Sequence, residues 1–310
     1  MEYGAHLPLI DFGEGSPSLD ELTEYAATAE RLGFRFLCTN DHLLFGRPWL
    51  DGPIALAAVL AAAGEMQLAT TVSIPVVRGP VQAAKSLAAI DRLSGGRLTV
   101  GVGPGSSARD YEAVGLPFED RWSRLDEVIA ALRALWAGGE PFVGRHYSTE
   151  GISLSPPPTQ RPGPPIWIGS WGSPAGLRRA ARHGDGWIAS GYNTTPARFG
   201  EAREALAAAL AERGRDAEAF PNALSTGWLY ITEDAAEARR VLHDVLVPTL
   251  HRDPADLAAW LPIGSAEHCA GVVRAYAEAG LQRLFVWPLA EPARQLERFA
   301  ERVIPLVDAG

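Results

Sequence analysis

Cysteine is scarce in this chain. Cys38 and Cys269 are its only two, so no disulfide framework is available, and neither has a second Cys or a His at metal-ligand spacing. Cys38 stands inside an apolar stretch and reads as a small buried thiol. Lys/Arg-rich runs are absent, and the formal charge of −9 comes from interspersed acids and bases, which excludes an extended nucleic-acid surface. No stretch approaches the roughly 18 apolar residues that span a bilayer. "MEYGAHLPLI" lacks the basic stretch and long apolar core of a signal peptide. These absences predict a reduced, cytoplasmic protein without membrane or nucleic-acid partners. The seven histidines form no HExxH or similar metal pattern, and neither a GxSxG elbow nor a P-loop occurs, so no metal site is expected.

What is present is a rhythm. The 310 residues, 47% hydrophobic and 21% charged, have room for two average domains or one large α/β barrel. Short apolar strands are expected at 4–10, 34–40, 67–75, 97–105, 165–170, 186–191, 223–231 and 282–288, each followed by a helix-period segment. In the first helix, Leu22, Tyr25, Ala26, Ala29 and Leu32 fall on one face. Eight evenly sized strand–helix units without a composition break predict a (β/α)₈ TIM barrel with insertion loops, one domain over 1–310. An open doubly wound sheet is the structural alternative. Two segments break the rhythm. The proline-rich 143–165 reads as a hairpin with an extended arm, and about 240–264 is too long for an ordinary loop, as lids and binding loops are.

In such a barrel the chemistry gathers at the C-terminal strand ends. The second strand ends in Asn40-Asp41-His42, where His42 can exchange protons near neutral pH and Asp41 can fix its tautomer or hold a backbone group. Capping and plain packing are the bland readings of the same pair. The third strand ends at Ser73-Ile74. The fourth runs into Gly103-Pro104-Gly105-Ser106, whose glycines let backbone approach a flat ring but do not open a helix as a dinucleotide fingerprint requires. The fifth ends in Gly169-Ser170-Trp171-Gly172-Ser173, directly before a helix starting near Pro174. That is either an ordinary tight turn or a phosphate-binding helix start. His6 could point into the barrel. Trp171 and Trp287, at strand ends, are candidate pocket walls. Phe45, Trp49, Leu246 and Trp260 hint at a hydrophobic or cyclic substrate.

The stretches "AERLGFRFLCTNDHLLF", "LATTVSIPVVRGPVQAAKSLAAIDRLSGGRLTVGVGPG", "GLPFEDRWSRLDEVIAALRALW", "PPIWIGSWGSPAGLRRAARHGDGWI" and "GSAEHCAGVVRAYAEAGLQRLFV" resemble, in order, the bacterial luciferase-like monooxygenase superfamily of (β/α)₈ flavin and deazaflavin enzymes. The resemblance implies a non-proline cis bond after Ser73, making with Ile74 a bulge behind the cofactor ring. It assigns Gly169 to Ser173 to the cofactor phosphate, and Asp41-His42 to the acid–histidine pair of members that use coenzyme F420. Asn40 stands where Ser is common there. Arg109 falls where a ring-contacting amide occurs in the sugar-phosphate dehydrogenase branch. Ser106 and Ser107 replace that branch's proton-donating glutamate, so its substrate and full mechanism do not carry over. The implied function is F420-dependent hydride transfer between the deazaflavin C5 and a small organic substrate, in a homodimer. The alternatives are an FMN-dependent monooxygenase and a flavin-binding protein without turnover.

Overall fold

The computed structural model describes residues 1–13 and 15–309. Among the described residues nine parallel strands occur: β1 (Glu2–His6), β2 (Phe36–Thr39), β3 (Gln67–Ser73), β4 (Leu98–Val102), β5 (Ile166–Gly169), β6 (Gly186–Ser190), β7 (Asn222–Ile231), β8 (Ile263–Gly264) and β9 (Arg283–Pro288). Each strand from β1 to β7 pairs with the next, β7 pairs with β9, and β9 returns to β1. The sheet therefore closes on itself as an eight-stranded (β/α)₈ barrel. The two-residue β8, which had no sequence signal, hangs on the end of β7 outside the ring.

The apolar runs form strands because both faces are buried, as parallel barrels require. In β2, Phe36 and Cys38 join Ala69, Trp167, Ile188, Ala223 and Phe285 inside the barrel, whereas Leu37 packs against the outer helices. Burial pushes the Cys38 thiol well above its ordinary pKa, as expected of an inert thiol. The helix α1 (Leu19–Arg31) opens with a capping box between Ser18 and Glu21, and it buries Leu22, Tyr25, Ala26 and Ala29. Around the ring follow α2 (Gly52–Ala58), α3 (Pro75–Arg78), α4 (Pro80–Leu93), α5 (Ala108–Ala113), α6 (Arg121–Ala137), α7 (Pro174–His183) and α8 (Pro196–Ala211). No helix among the described residues is long and apolar enough to cross a membrane.

The 143–165 segment is a short hairpin, Val143 opposite Ser148, continued by an arm. Two buried or half-buried carboxylates hold it. Glu127 accepts from the backbone N–H groups of Arg145, His146 and Tyr147 at 2.9, 2.7 and 3.1 Å. Asp91 accepts from the N–H groups of Thr159 and Gln160 and from Gln160 Nε2 at 2.7, 2.9 and 2.7 Å. The second excursion consists of α9 (Ala235–Val241), a π-helical turn Leu242–Leu246, α10 (Val247–Leu250) and α11 (Pro254–Trp260). Its Val241, Leu242, Leu246 and Leu257 pack on Trp228, Tyr230 and Trp287 at the top of β7 and β9. Arg47 Nε donates to Thr249 Oγ1 at 3.0 Å, and Arg252 donates to Asn193 Oδ1 at 2.6 Å. Helices α12 (Ala266–Glu278), α13 (Pro292–Arg298) and α14 (Ile304–Asp308) complete the ring.

Candidate active site

A cavity of ≈ 350 Å³ opens at the C-terminal ends of β2 to β7. Its lining includes Asn40, Asp41, His42, Ile74, Gly103, Gly105, Ser106, Gly169, Ser170, Trp171 and Ser173, so eleven of the fourteen residues expected from the sequence meet in one place. Ser73, Arg109 and Gly172 do not line it. Ser73 is buried behind the wall, and Arg109 points to solvent from α5. Gly172, at φ +89°, shapes the turn, its N–H donating to Ser170 Oγ at 3.3 Å.

Asp41 is not the partner of His42. The carboxylate that meets the imidazole is Asp110, whose Oδ2 lies 3.0 Å from His42 Nδ1, with side-chain exposures of 1% and 15%. Its other oxygen accepts the Leu44 N–H at 2.7 Å. A carboxylate is acceptor-only, so the pairing assigns the Nδ1–H tautomer and leaves Nε2 as the exchangeable nitrogen. The ring is further fixed by Phe45 and Trp49, at centroid distances of 5.0 and 4.8 Å. Asp110 was missed because it follows Arg109 by one residue. On the short α5, capped by Ser107, that step turns a side chain about 100° from solvent to core.

Asp41 does what the second sequence expectation allowed and holds backbone. Its Oδ2 accepts from the Ile74 N–H at 3.4 Å, and both oxygens take a fork from Arg78 at 2.6 Å each. Arg78 also reaches Asp51 at 2.7 Å. Burial would lower the guanidinium pKa, but the bonds and charge of Asp41, then of Asp51, outweigh it and push it up. This brace ties the end of β2 to α3 and to the start of α2.

The bulge lies two residues earlier than expected. The non-proline cis bond is Thr71–Val72, and the β3–β4 register slips between Thr70 and Ser73. Val72 lines the cavity. The glycines of the neighbouring loops serve this side chain: a Cβ at Gly103 would lie 2.8 Å from Val72 Cγ2, and one at Gly169 2.9 Å from Val72 Cγ1. With Ile74, Pro104, Ile188 and Ala189, Val72 makes an apolar wall.

Towards α7 the lining turns polar. Ser173 caps the helix, accepting from the Gly176 N–H at 3.2 Å, and the first turn of α7 carries no acidic residue. Phe118, Arg121 and Trp122, from the start of α6 and the turn before it, form the adjacent wall; they lie in a stretch that resembles the family but were not singled out as site residues. Tyr192, Ser190, Ser225 and Thr226 close the β6–β7 side. Burial raises the Tyr192 phenol above its ordinary pKa. Asn40 contributes a buried Oδ1 with no hydrogen-bond partner. An apolar wall, an orphaned acceptor and an anion-suited end together fit a flat heterocycle bearing ring N–H groups and a phosphorylated side chain.

Other expectations shift. His6 does point inward, but it is 1% exposed and stacked on Trp287 at 3.5 Å, outside the cavity lining. Trp287 is core, not pocket wall, with Trp228 also stacked on it at 4.2 Å. Trp171 does stand at the rim, 57% exposed. Of the apolar residues expected around substrate, Phe45 and Trp49 flank His42, whereas Leu246 is buried in the second excursion and Trp260 lines a separate crevice. Among the described residues no group of three His, Cys, Asp or Glu could hold a metal ion.

The chain is 31% identical over 208 residues to an F420-dependent hydroxymycolic acid dehydrogenase of Mycobacterium tuberculosis, a match covering 64% of this chain and about half (55%) of that relative. It is 30% identical to an F420-dependent glucose-6-phosphate dehydrogenase of Beutenbergia cavernae, over 93% of this chain and 94% of the relative. Among solved structures, an F420-dependent secondary alcohol dehydrogenase superposes with a TM-score of 0.86 at 20% identity, over 99% of this chain and 98% of the other. That likeness establishes the fold. The luciferase-like monooxygenase family model matches residues 7–257, and the chain belongs to that family.

Proposed function

We propose that this chain is an oxidoreductase that takes coenzyme F420 in the cavity and exchanges hydride with a small organic substrate. The observation that carries the reading is His42, an imidazole in the cavity lining whose Nδ1 is fixed by the buried Asp110. The F420 dependence named in the relatives supports the choice of cofactor. When bound, the deazaflavin supplies or accepts hydride at C5. Val72 and Ile74 would back its ring, Asn40 would accept a ring N–H, and Ser170, Ser173 and the start of α7 would hold its phosphate. His42 Nε2 takes the proton from a substrate hydroxyl in oxidation, or returns it to a carbonyl oxygen in reduction. Asp110 keeps that nitrogen aimed and stabilises the imidazolium. Phe45 and Trp49 offer an apolar flank on the same side, which favours a neutral, largely apolar substrate. A homodimer belongs to this reading and is checked by light scattering.

The family's description favours one second reading, an FMN-dependent monooxygenase. Anaerobic titrations with F420 and FMN, each oxidised and reduced, separate the two. Tighter binding of F420 is expected, and a clear preference for reduced FMN overturns the proposal. In the F420-loaded protein, His42→Ala should lower turnover by about 10²–10⁴-fold with cofactor affinity nearly unchanged. Asp110→Asn should also lower it and displace the pH–rate profile, since Asp110 acts through His42. Unchanged turnover in His42→Ala would leave a binding protein without catalysis.

A further inference from the structure

A second hollow, of ≈ 540 Å³, lies between α9 and α13 beside the bend at 289–291. It shares no lining residue with the cavity that holds His42. Among the described residues its lining carries three arginines, Arg240, Arg294 and Arg298, against two glutamates, Glu237 and Glu291. In a chain of formal charge −9 this is a local excess of positive charge.

The two glutamates do not neutralise all three cations. Glu237 accepts from the Tyr230 hydroxyl at 2.9 Å with one oxygen and from Thr232 Oγ1 at 2.6 Å with the other. The Thr232 and Tyr230 bonds, and after them the charge of Arg240, hold its carboxyl below the ordinary pKa. Glu291 pairs with Arg294 at 2.8 Å and lies 3.8 Å from Arg298, whose Nη1 donates to the Ile231 carbonyl at 2.8 Å. Arg240 makes no hydrogen bond or ion pair within 4.0 Å among the described residues, so its donors are free for a ligand. Glu291 itself takes φ +44°, a left-handed backbone that is rare outside glycine and recurs at ligand clamps. The rest of the wall is largely apolar, with Phe12, Val241, Val245 and Leu289. A neighbouring hollow of ≈ 430 Å³ shares Phe12, Leu289 and Arg294 with it and is lined further by Ile10, Tyr25 and Trp287.

We infer that this hollow is a second ligand site, which binds an anionic amphiphile: a carboxylate or phosphate headgroup on an apolar chain. The headgroup takes paired N–H···O bonds from Arg240 and Arg294. The chain covers Phe12, Val241 and Leu289 and has further apolar room towards Ile10. The α9 end of the site belongs to the excursion packed on Trp228 and Trp287, and the α13 end to the helical ring, so a bound ligand ties the excursion to the barrel. None of these residues lines the catalytic cavity, and the inference does not depend on the proposed cofactor.

The test is calorimetric titration of the full chain with four probes: octanoate, octyl phosphate, octanol and inorganic phosphate. Wild type is compared with Arg240→Gln, Arg240→Lys and Arg294→Gln. Both arginines are exposed, so these substitutions remove no buried contact, and unchanged thermal midpoints check that the variants are folded. At least one anionic amphiphile should bind wild type at least tenfold more tightly than octanol or inorganic phosphate. Which of the two does so tells a carboxylate ligand from a phosphate one. Arg240→Gln and Arg294→Gln should each weaken it at least fivefold and reduce its salt dependence, and Arg240→Lys should fall between. Hydrogen exchange should slow at 235–247 and 289–298 with the amphiphile bound, and saturating F420 should leave its affinity within twofold. No binding of either anionic amphiphile, equal binding of octanol, affinity unchanged in both Gln variants, or displacement by F420 overturns the inference. Failure of F420 to bind overturns the cofactor reading and leaves this site standing.

Discussion

His6 should make this barrel less stable in acid. It is 1% exposed, its Nδ1 donates to the Leu7 carbonyl at 2.8 Å, and its Nε2 has no partner. Burial holds its pKa down to about 3, against 6.5 for an unhindered imidazole. The unfolded chain therefore binds one more proton than the native one between those two values. Stability from the neutral ring is complete above pH 6.5 and is lost as pH falls, until the native ring titrates near 3. From pH 7.5 to 4.5 the loss from this one group is about 3 kcal/mol, for roughly two pH units below 6.5. His6→Phe keeps a flat ring on Trp287 and cannot protonate. It should carry a pH-independent offset of about 1 kcal/mol for the lost Leu7 bond. Urea-unfolding free energies at pH 7.5, 6.5, 5.5 and 4.5 give the comparison, in which contributions from carboxylates common to both proteins cancel. Wild type should lose about 3 kcal/mol more than the variant over this range. Parallel pH dependences would refute the reasoning, since His6 would then titrate alike in both states.

Two further substitutions test the braces around the site. Asp41→Asn breaks the two-oxygen fork, leaves the half-buried Arg78 with Asp51 as its one carboxylate, and should cost about 3 kcal/mol in thermal unfolding. Undiminished stability with abolished turnover would instead make Asp41 a chemical participant. Asp91→Ala orphans three donors of the proline-rich arm, worth about 3 kcal/mol together, and should expose 155–165 to limited proteolysis. An arm as resistant as wild type would show that its prolines alone fix it.

The barrel was legible because its signal is local. Runs such as "FLCT" and "LTVGV" are apolar throughout, and helix-period faces such as Leu22, Tyr25, Ala26 and Ala29 lie between them. Strand ends were equally readable, since polar residues that follow an apolar run in a parallel barrel mark its mouth. This is how Asn40 to His42 and Gly169 to Ser173 were found. Which side chains meet across the mouth was not readable. Asp41 adjoins His42 in sequence, yet consecutive residues leaving a strand point in different directions, and Asp110, 68 positions away, takes the imidazole. The glycines of "GVGPG" and "GSWGS" suit a ring or a neighbour equally well on paper. Only packing shows that Val72 fills the space beside Gly103 and Gly169.

The sequence by itself determined the parallel barrel, its family, the rim turns and the two excursions, because hydrophobic periodicity and turn chemistry act within a few residues. Tertiary structure decided the His42–Asp110 pair, the Asp41–Arg78 brace, the place of the bulge and the arrival of Arg121 beside α7. Each of these depends on distances between segments far apart in the chain, which closure of the sheet alone fixes.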